Sequence, residues 1–285
     1  MTESGSGSTQ AVDEPLLSFI HISDTHLSED PHFNLPEFQH TPRQGALALR
    51  EAIGEIPIAI DFILHTGDVV HEPNAAAYQE ARRFFDDFPF PIYFTAGNHD
   101  DPTLLQQHLL EREESQLPFA YEIEKAGVQI LVLDSSQTHT HQGKLGTEQL
   151  AWLRSHCEAE GERPLVVALH HNPLQAPPSP WWDQMALHDG ETFHQILRSA
   201  RDRLRGVFFG HIHQPLDYHR DGISYFGVGG SWELLHYYPF MAEDLLDRDS
   251  LPGFNLVHIG PRTTTIRRHN FRLPLMQDDP DGPDG

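Results

Sequence analysis

Five short β-type runs, residues 18–23, 60–65, 91–95, 165–169 and 206–209, each give way at their carboxyl end to aspartate, asparagine or histidine. This recurrence constrains the chain more than any other feature. The runs are rich in Ile, Val, Leu and Phe, as strands buried on both faces are. Further runs of this type cover 128–133, 224–228 and 255–259. Amphipathic stretches at 44–53, 75–87, 103–110, 147–160 and 191–201 alternate with them and predict helices. Strands alternating with helices predict an α/β fold. In open sheets of that class, ligands gather outside the carboxyl ends of the strands.

Taken singly, the strand ends are ordinary. Asp24-Thr25-His26 reads as a capped turn, although residues two apart in extended backbone share a side and can share an ion. Thr66-Gly67-Asp68 reads as a tight turn permitted by glycine. Gly97-Asn98-His99-Asp100, His170-His171-Asn172-Pro173 and Gly210-His211-Ile212-His213 are harder to assign to turns. Jointly the five offer enough oxygen and imidazole nitrogen for two ions. Such a donor set, free of thiolate, suits Mn²⁺, Fe, Co²⁺ or Zn²⁺ better than Ca²⁺. Two ions about 3.5–4 Å apart can share a hydroxide and clamp a phosphoryl oxygen on each side of an in-line attack. His171, adjacent to His170, faces away if the extended geometry persists.

Composition narrows the partners. With 42 Asp and Glu against 19 Lys and Arg, the formal charge is −23, which opposes docking to nucleic acid or to an anionic membrane. No apolar run approaches the roughly 18 residues of a membrane span. Cys157 is the only cysteine, so no intramolecular disulfide forms, in keeping with the cytoplasm. The Ser/Gly-rich stretch 1–14 reads as a flexible leader, 15–275 as one domain and 276–285 as a disordered tail. The acidic and aromatic segment 232–252 fits a lid, a partner surface or a solvated excursion equally well. Trp181, Trp182, Trp232, Tyr237 and Tyr238 can stack on a base or pack in the core, and packing is the expectation for most.

The ordered motifs Asp-x-His, Gly-Asp, Gly-Asn-His-Asp, His and Gly-His-x-His resemble those of the calcineurin-like metallophosphoesterases. Within that superfamily the stretches HISDTHL, HTGDVV, GNHD, LHHNPL, WWDQMAL and GHIHQPLD are similar to bacterial cyclic 3′,5′-nucleotide phosphodiesterases. The resemblance implies an α/β, four-layer fold: a central β-sandwich of two mixed sheets flanked by helices. It implies one ion on Asp24, His26, Asp68 and His213 and a second on Asp68, Asn98, His170 and His211, with Asp68 bridging. His99 is then the non-ligating catalytic imidazole and Asp100 the acceptor that orients it. Substrate contacts are expected from His26, Asp68, Asn98, His99 and His213. The implied reaction is hydrolysis of a small phosphodiester by metal-bridged hydroxide, foremost cyclic AMP to 5′-AMP. Another small ester, such as a glycerophosphodiester or phosphomonoester, is the alternative, and a non-catalytic scaffold a remote one. Manganese or iron is favoured, with zinc or cobalt next, and a homodimer is compatible with the sequence. Asn172 and the segment 229–232 depart from the relatives' pattern and leave base selectivity open.

Overall fold

Leu17 and Phe19 point to one side of their strand, Ile20 and Ile22 to the other, and all four are buried. The strand is therefore sandwiched, and the same alternation recurs through the molecule. The computed structural model describes residues 14–137, 140–175, 180–236, 241 and 245–274. The expected leader (but for Glu14), the expected tail, Tyr237 and Tyr238, and the side chain of Trp182 lie outside the described residues.

In order the elements are β1 (Leu17–Ile22), α1 (Pro42–Gly54), β2 (Phe62–His65), α2 (Ala75–Phe85), β3 (Ile92–Phe94) and α3 (Pro102–Leu104), which continues as a π turn over Leu105–Leu109. Then come β4 (Tyr121–Lys125), β5 (Val128–Val132), α4 (Gly146–Cys157), β6 (Leu165–Ala168), α5 (Pro180–Met185) and α6 (Gly190–Leu197). The described residues end with β7 (Leu204–Phe209), β8 (Asp217–Arg220), β9 (Ile223–Gly227), β10 (Leu235–His236), β11 (Leu245–Leu246), β12 (Gly253–Ile259) and β13 (Thr264–Asn270).

One sheet has the order β13-β12-β1-β2-β3, with β1, β2 and β3 parallel. The other has the order β4-β5-β6-β7-β9-β8, with β5, β6, β7 and β9 parallel. The pairings of β12 and of the edge strands β4, β8 and β13 are antiparallel, so both sheets are mixed. Phe19, Phe62, Leu64, Val132, Val166 and Phe208 fill the layer between the sheets. Outside the first sheet, α1 and α2 lay Leu49, Ile53, Tyr78 and Phe85 against Ile20 and Ile63. Outside the second, α4 and α6 lay Leu153, Phe193 and Leu197 against Val167 and Phe209. The result is the helix–sheet–sheet–helix stack expected of this sequence. Burial of each large side chain contributes roughly 1.5–3 kcal/mol.

Local chemistry sets the helix starts. Thr41 accepts from the Gln44 amide while the Gln44 side chain accepts from Thr41 N–H, with Pro42 opening α1. Asn74 caps α2 through Ala77 N–H. Where the sequence predicts one helix over 103–110, the chain makes three α residues and then the wider π turn. Strands β4, β8 and β13 escape the sequence reading because they are sheet edges with a solvated face, such as the polar Asp217–Arg220. Among the described residues no helix is long and apolar enough to cross a membrane.

Candidate metal centre

Because β1, β2 and β3 are parallel, as are β6 and β7, their carboxyl ends open into one crevice. Asp24 and His26 follow β1, Asp68 follows β2, Asn98 and His99 follow β3, His170 follows β6, and His211 and His213 follow β7. The loops stay zipped beyond their strands: Asp24 N–H donates to Gly67 O at 3.0 Å, His26 N–H to Asp68 O at 3.0 Å, and Gly210 N–H to His170 O at 3.0 Å. Five of the expected ligands, Asp24, His26, Asp68, His211 and His213, have φ between 45° and 73°. L-residues rarely adopt this left-handed conformation, and such strain collects at functional sites.

The side chains meet in two groups. In the first, Asp24, His26, Asp68 and His213 each bring a ligand atom, all within 4.8 Å of one another. His26 Nε2 lies 3.1 Å from His213 Nε2 and 3.7 Å from Asp68 Oδ2, and His213 Nε2 lies 3.4 Å from Asp24 Oδ1. In the second, His170 Nε2 stands 3.3 Å from Asp68 Oδ2, 3.1 Å from Asn98 Oδ1 and 3.1 Å from His211 Nδ1. Asp68 Oδ2 is common to both. Its other oxygen accepts the His99 backbone N–H at 2.8 Å. His170 Nδ1 donates to Thr66 O at 2.7 Å, so Nε2 is the nitrogen it turns toward the group.

The donor set fits divalent cations. Asp24 Oδ1 is buried without a hydrogen-bond partner, and two pairs of imidazole nitrogens, His26 Nε2 with His213 Nε2 and His170 Nε2 with His211 Nδ1, face each other at 3.1 Å. Burial opposes ionisation of Asp68, but the His170, His99 and His26 rings outweigh it and hold the carboxyl well below its usual range. Asp24 is likewise lowered, burial being overcome by His213. Burial holds His26 and His211 well below the ordinary imidazole range, so their lone pairs are open to a cation. Against the same burial, Asp68 pushes His170 up to about 9 and Asp24 pushes His213 up to about 10.

Asp100 does something other than expected. It does not hold the His99 ring: His99 Nδ1 donates to the carbonyl of His71 at 2.7 Å. The Asp100 carboxylate instead accepts from Gly97 N–H at 2.9 Å, Val69 N–H at 3.1 Å, Val70 N–H at 3.4 Å and Tyr78 Oη at 3.1 Å. It thus ties the loop after β2 to the loop after β3. Burial, then the neighbouring Asp68 charge, pushes its carboxyl up to about 7.

His171 departs from expectation too. Alternation fails past β6, and its ring lies 5.0 Å from His170 and 4.4 Å from His211, with Nδ1 at 2.8 Å from Ser135 Oγ. His71 and His141 escaped the sequence reading. The first is grouped with His26 and His99, and the second places Nδ1 3.3 Å from Asn98 Nδ2. Neither belongs to a recognisable pattern, and the loop bearing His141 follows β5, a sixth strand end outside the five motifs. Trp181 packs against the outer core and Trp232 is buried against Phe38.

Known proteins are similar to this chain in sequence and in fold. A family model described as calcineurin-like phosphoesterase matches residues 17–215. A 3′,5′-cyclic adenosine monophosphate phosphodiesterase of Vibrio vulnificus is 29% identical over 264 residues, covering 92% of this chain and 93% of its own. A 3′,5′-cyclic-nucleotide phosphodiesterase of Nostoc sp. is 26% identical, covering 91% and 95%. Among solved structures, a dimetal phosphatase from Danio rerio superposes with a TM-score of 0.62 at 15% identity, over 91% of this chain and 100% of the other. The class defined by this fold and crevice is that of metal-dependent phosphoric ester hydrolases. The chain belongs to the calcineurin-like phosphoesterase family.

Proposed function

We propose that the chain hydrolyses 3′,5′-cyclic AMP to 5′-AMP with two metal ions, one on Asp24, His26, Asp68 and His213, the other on Asp68, Asn98, His170 and His211. The observation that carries this reading is the position of Asp68 Oδ2, within 3.7 Å of His26 Nε2 and 3.3 Å of His170 Nε2, common to both groups. The names of the full-length relatives support the cyclic-nucleotide substrate. Bound transition-metal ions supply a water of lowered pKa and positive charge for the phosphoryl oxygens. Manganese or iron suits the oxygen and imidazole donors, with zinc or cobalt next.

The chain's own groups do the rest. His99 has its Nδ1 proton committed to His71 O, so Nε2 is the nitrogen that delivers a proton to the departing 3′-oxygen. Water adds to phosphorus, the P–O3′ bond breaks and the proton goes to O3′, giving 5′-AMP. We place this reaction in the cytoplasm, in keeping with the free, buried Cys157.

Hydrolysis of cyclic AMP, a glycerophosphodiester and a phosphomonoester under the same Mn²⁺ load tests the reading. Conversion of cyclic AMP to 5′-AMP is expected. Turnover of another ester with no cyclic nucleotide consumed would overturn the substrate.

A further inference from the structure

Asparagine is an ambiguous ligand. Its amide presents an oxygen to a cation in one orientation and an N–H₂, which repels it, in the other. Asn98 has Oδ1 at 3.1 Å from His170 Nε2, inside the second group of donors. Its Nδ2 is therefore turned outward, and the atom waiting there is His141 Nδ1 at 3.3 Å. Since Nδ2 can only donate, Nδ1 of His141 is the acceptor, and the proton of that neutral ring sits on Nε2. Rotating the amide by half a turn would set Oδ1 against His141 Nδ1, two acceptors face to face, and turn N–H groups toward the place of the second ion.

We propose that His141 is a positioning residue for the metal centre: by accepting from Asn98 Nδ2 it fixes which amide atom faces the second ion. The inference rests on the ligand set under Proposed function. His141 stands on the loop after β5, and it is exposed, so its side chain holds no core together. The same loop region supplies Ser135 Oγ to His171, whose ring packs on His211 of the same group. A strand end without a ligand of its own thus orients two of its neighbours' side chains.

The test is metal affinity, read without substrate. Mn²⁺ is titrated into the full chain and followed by the electron paramagnetic resonance of the free ion. Loss of a partner that orients a metal ligand typically weakens affinity about 10–100-fold. His141→Ala is expected to weaken one of two Mn²⁺ equivalents by that factor, and His141→Gln, which carries an acceptor oxygen, to recover most of it. His141→Lys, a donor only, should behave as alanine does. The Asn98→Ala, His141→Ala double variant should bind no worse than Asn98→Ala alone. Additive losses in this cycle, or unchanged affinity in His141→Ala, overturn the proposal. A wild-type chain that takes up a single ion refutes the two-ion reading, while the cycle still decides whether His141 acts through Asn98. A chain that takes up none refutes both.

Discussion

His99 shows how one residue serves a site twice. Its ring faces the crevice, while its backbone N–H holds Asp68 Oδ1 at 2.8 Å. His99→Ala deletes the ring and keeps the amide. Metal content should therefore stay near that of the wild type while the chemical step slows about 10²–10⁴-fold, the usual worth of general acid catalysis; metal analysis beside single-turnover kinetics checks both halves. Asp100 behaves in the opposite way. Removing its carboxylate leaves the buried N–H groups of Gly97 and Val69 unpaired, at about 1–3 kcal/mol each. Asp100→Ala should accordingly lose several kcal/mol in urea unfolding, and Asp100→Asn less, since the amide oxygen still accepts. The adjacency of His99 and Asp100 suggests that they touch, and they do not, because successive residues leave the turn in different directions.

At the scale of elements, the strand ends bring chemistry together because loops from neighbouring parallel strands pack in contact. At Gly97 the approach is close: a Cβ there would run into the Asp68 carboxylate and backbone. Gly97→Ala should push Asp68 out of line and weaken metal binding about 10–100-fold while far-ultraviolet circular dichroism keeps its strand and helix signal. Much of this level was legible in the sequence. Runs such as Phe62–His65 and Leu165–Ala168 are buried on both faces, so their apolar character stands out and their ends mark the crevice. Edge strands such as Thr264–Asn270 alternate weakly and resemble loops. The contributions of His71 and His141 were hidden for another reason: they depend on which loops become neighbours, within one sheet for His71 and across the two for His141, and local spacing carries no trace of that.

Across the whole molecule, buried neutral imidazoles govern the response to acid. His21 bonds Thr66 Oγ1 and His65 bonds Thr25 Oγ1, and burial holds each near a pKa of about 3. Unfolding frees both to take a proton below about 6.5, so the unfolded state binds more protons and stability falls with pH. Each ring costs about 1.4 kcal/mol per pH unit between about 6.5 and about 3. Asp100, raised to about 7, takes up its proton in the folded chain over the same range and offsets the share of one ring, so thermal stability should drop between pH 6.5 and 5 by what remains; a flat profile there would count against neutral rings at these positions. The upward shifts of His170 and His213 act at the other end, where their stabilisation of the metal-free chain fades as pH rises through about 9 and about 10.

The parallel arrangement also gives the molecule a working pole and an idle one. Turns such as Glu158–Gly161 and Pro261–Thr263 sit at the amino ends of the neighbouring strands, a sandwich length away from Asp68. For anyone wishing to tether this enzyme to a bead, graft a reporter into it or splice it to another module, those turns are the natural attachment points.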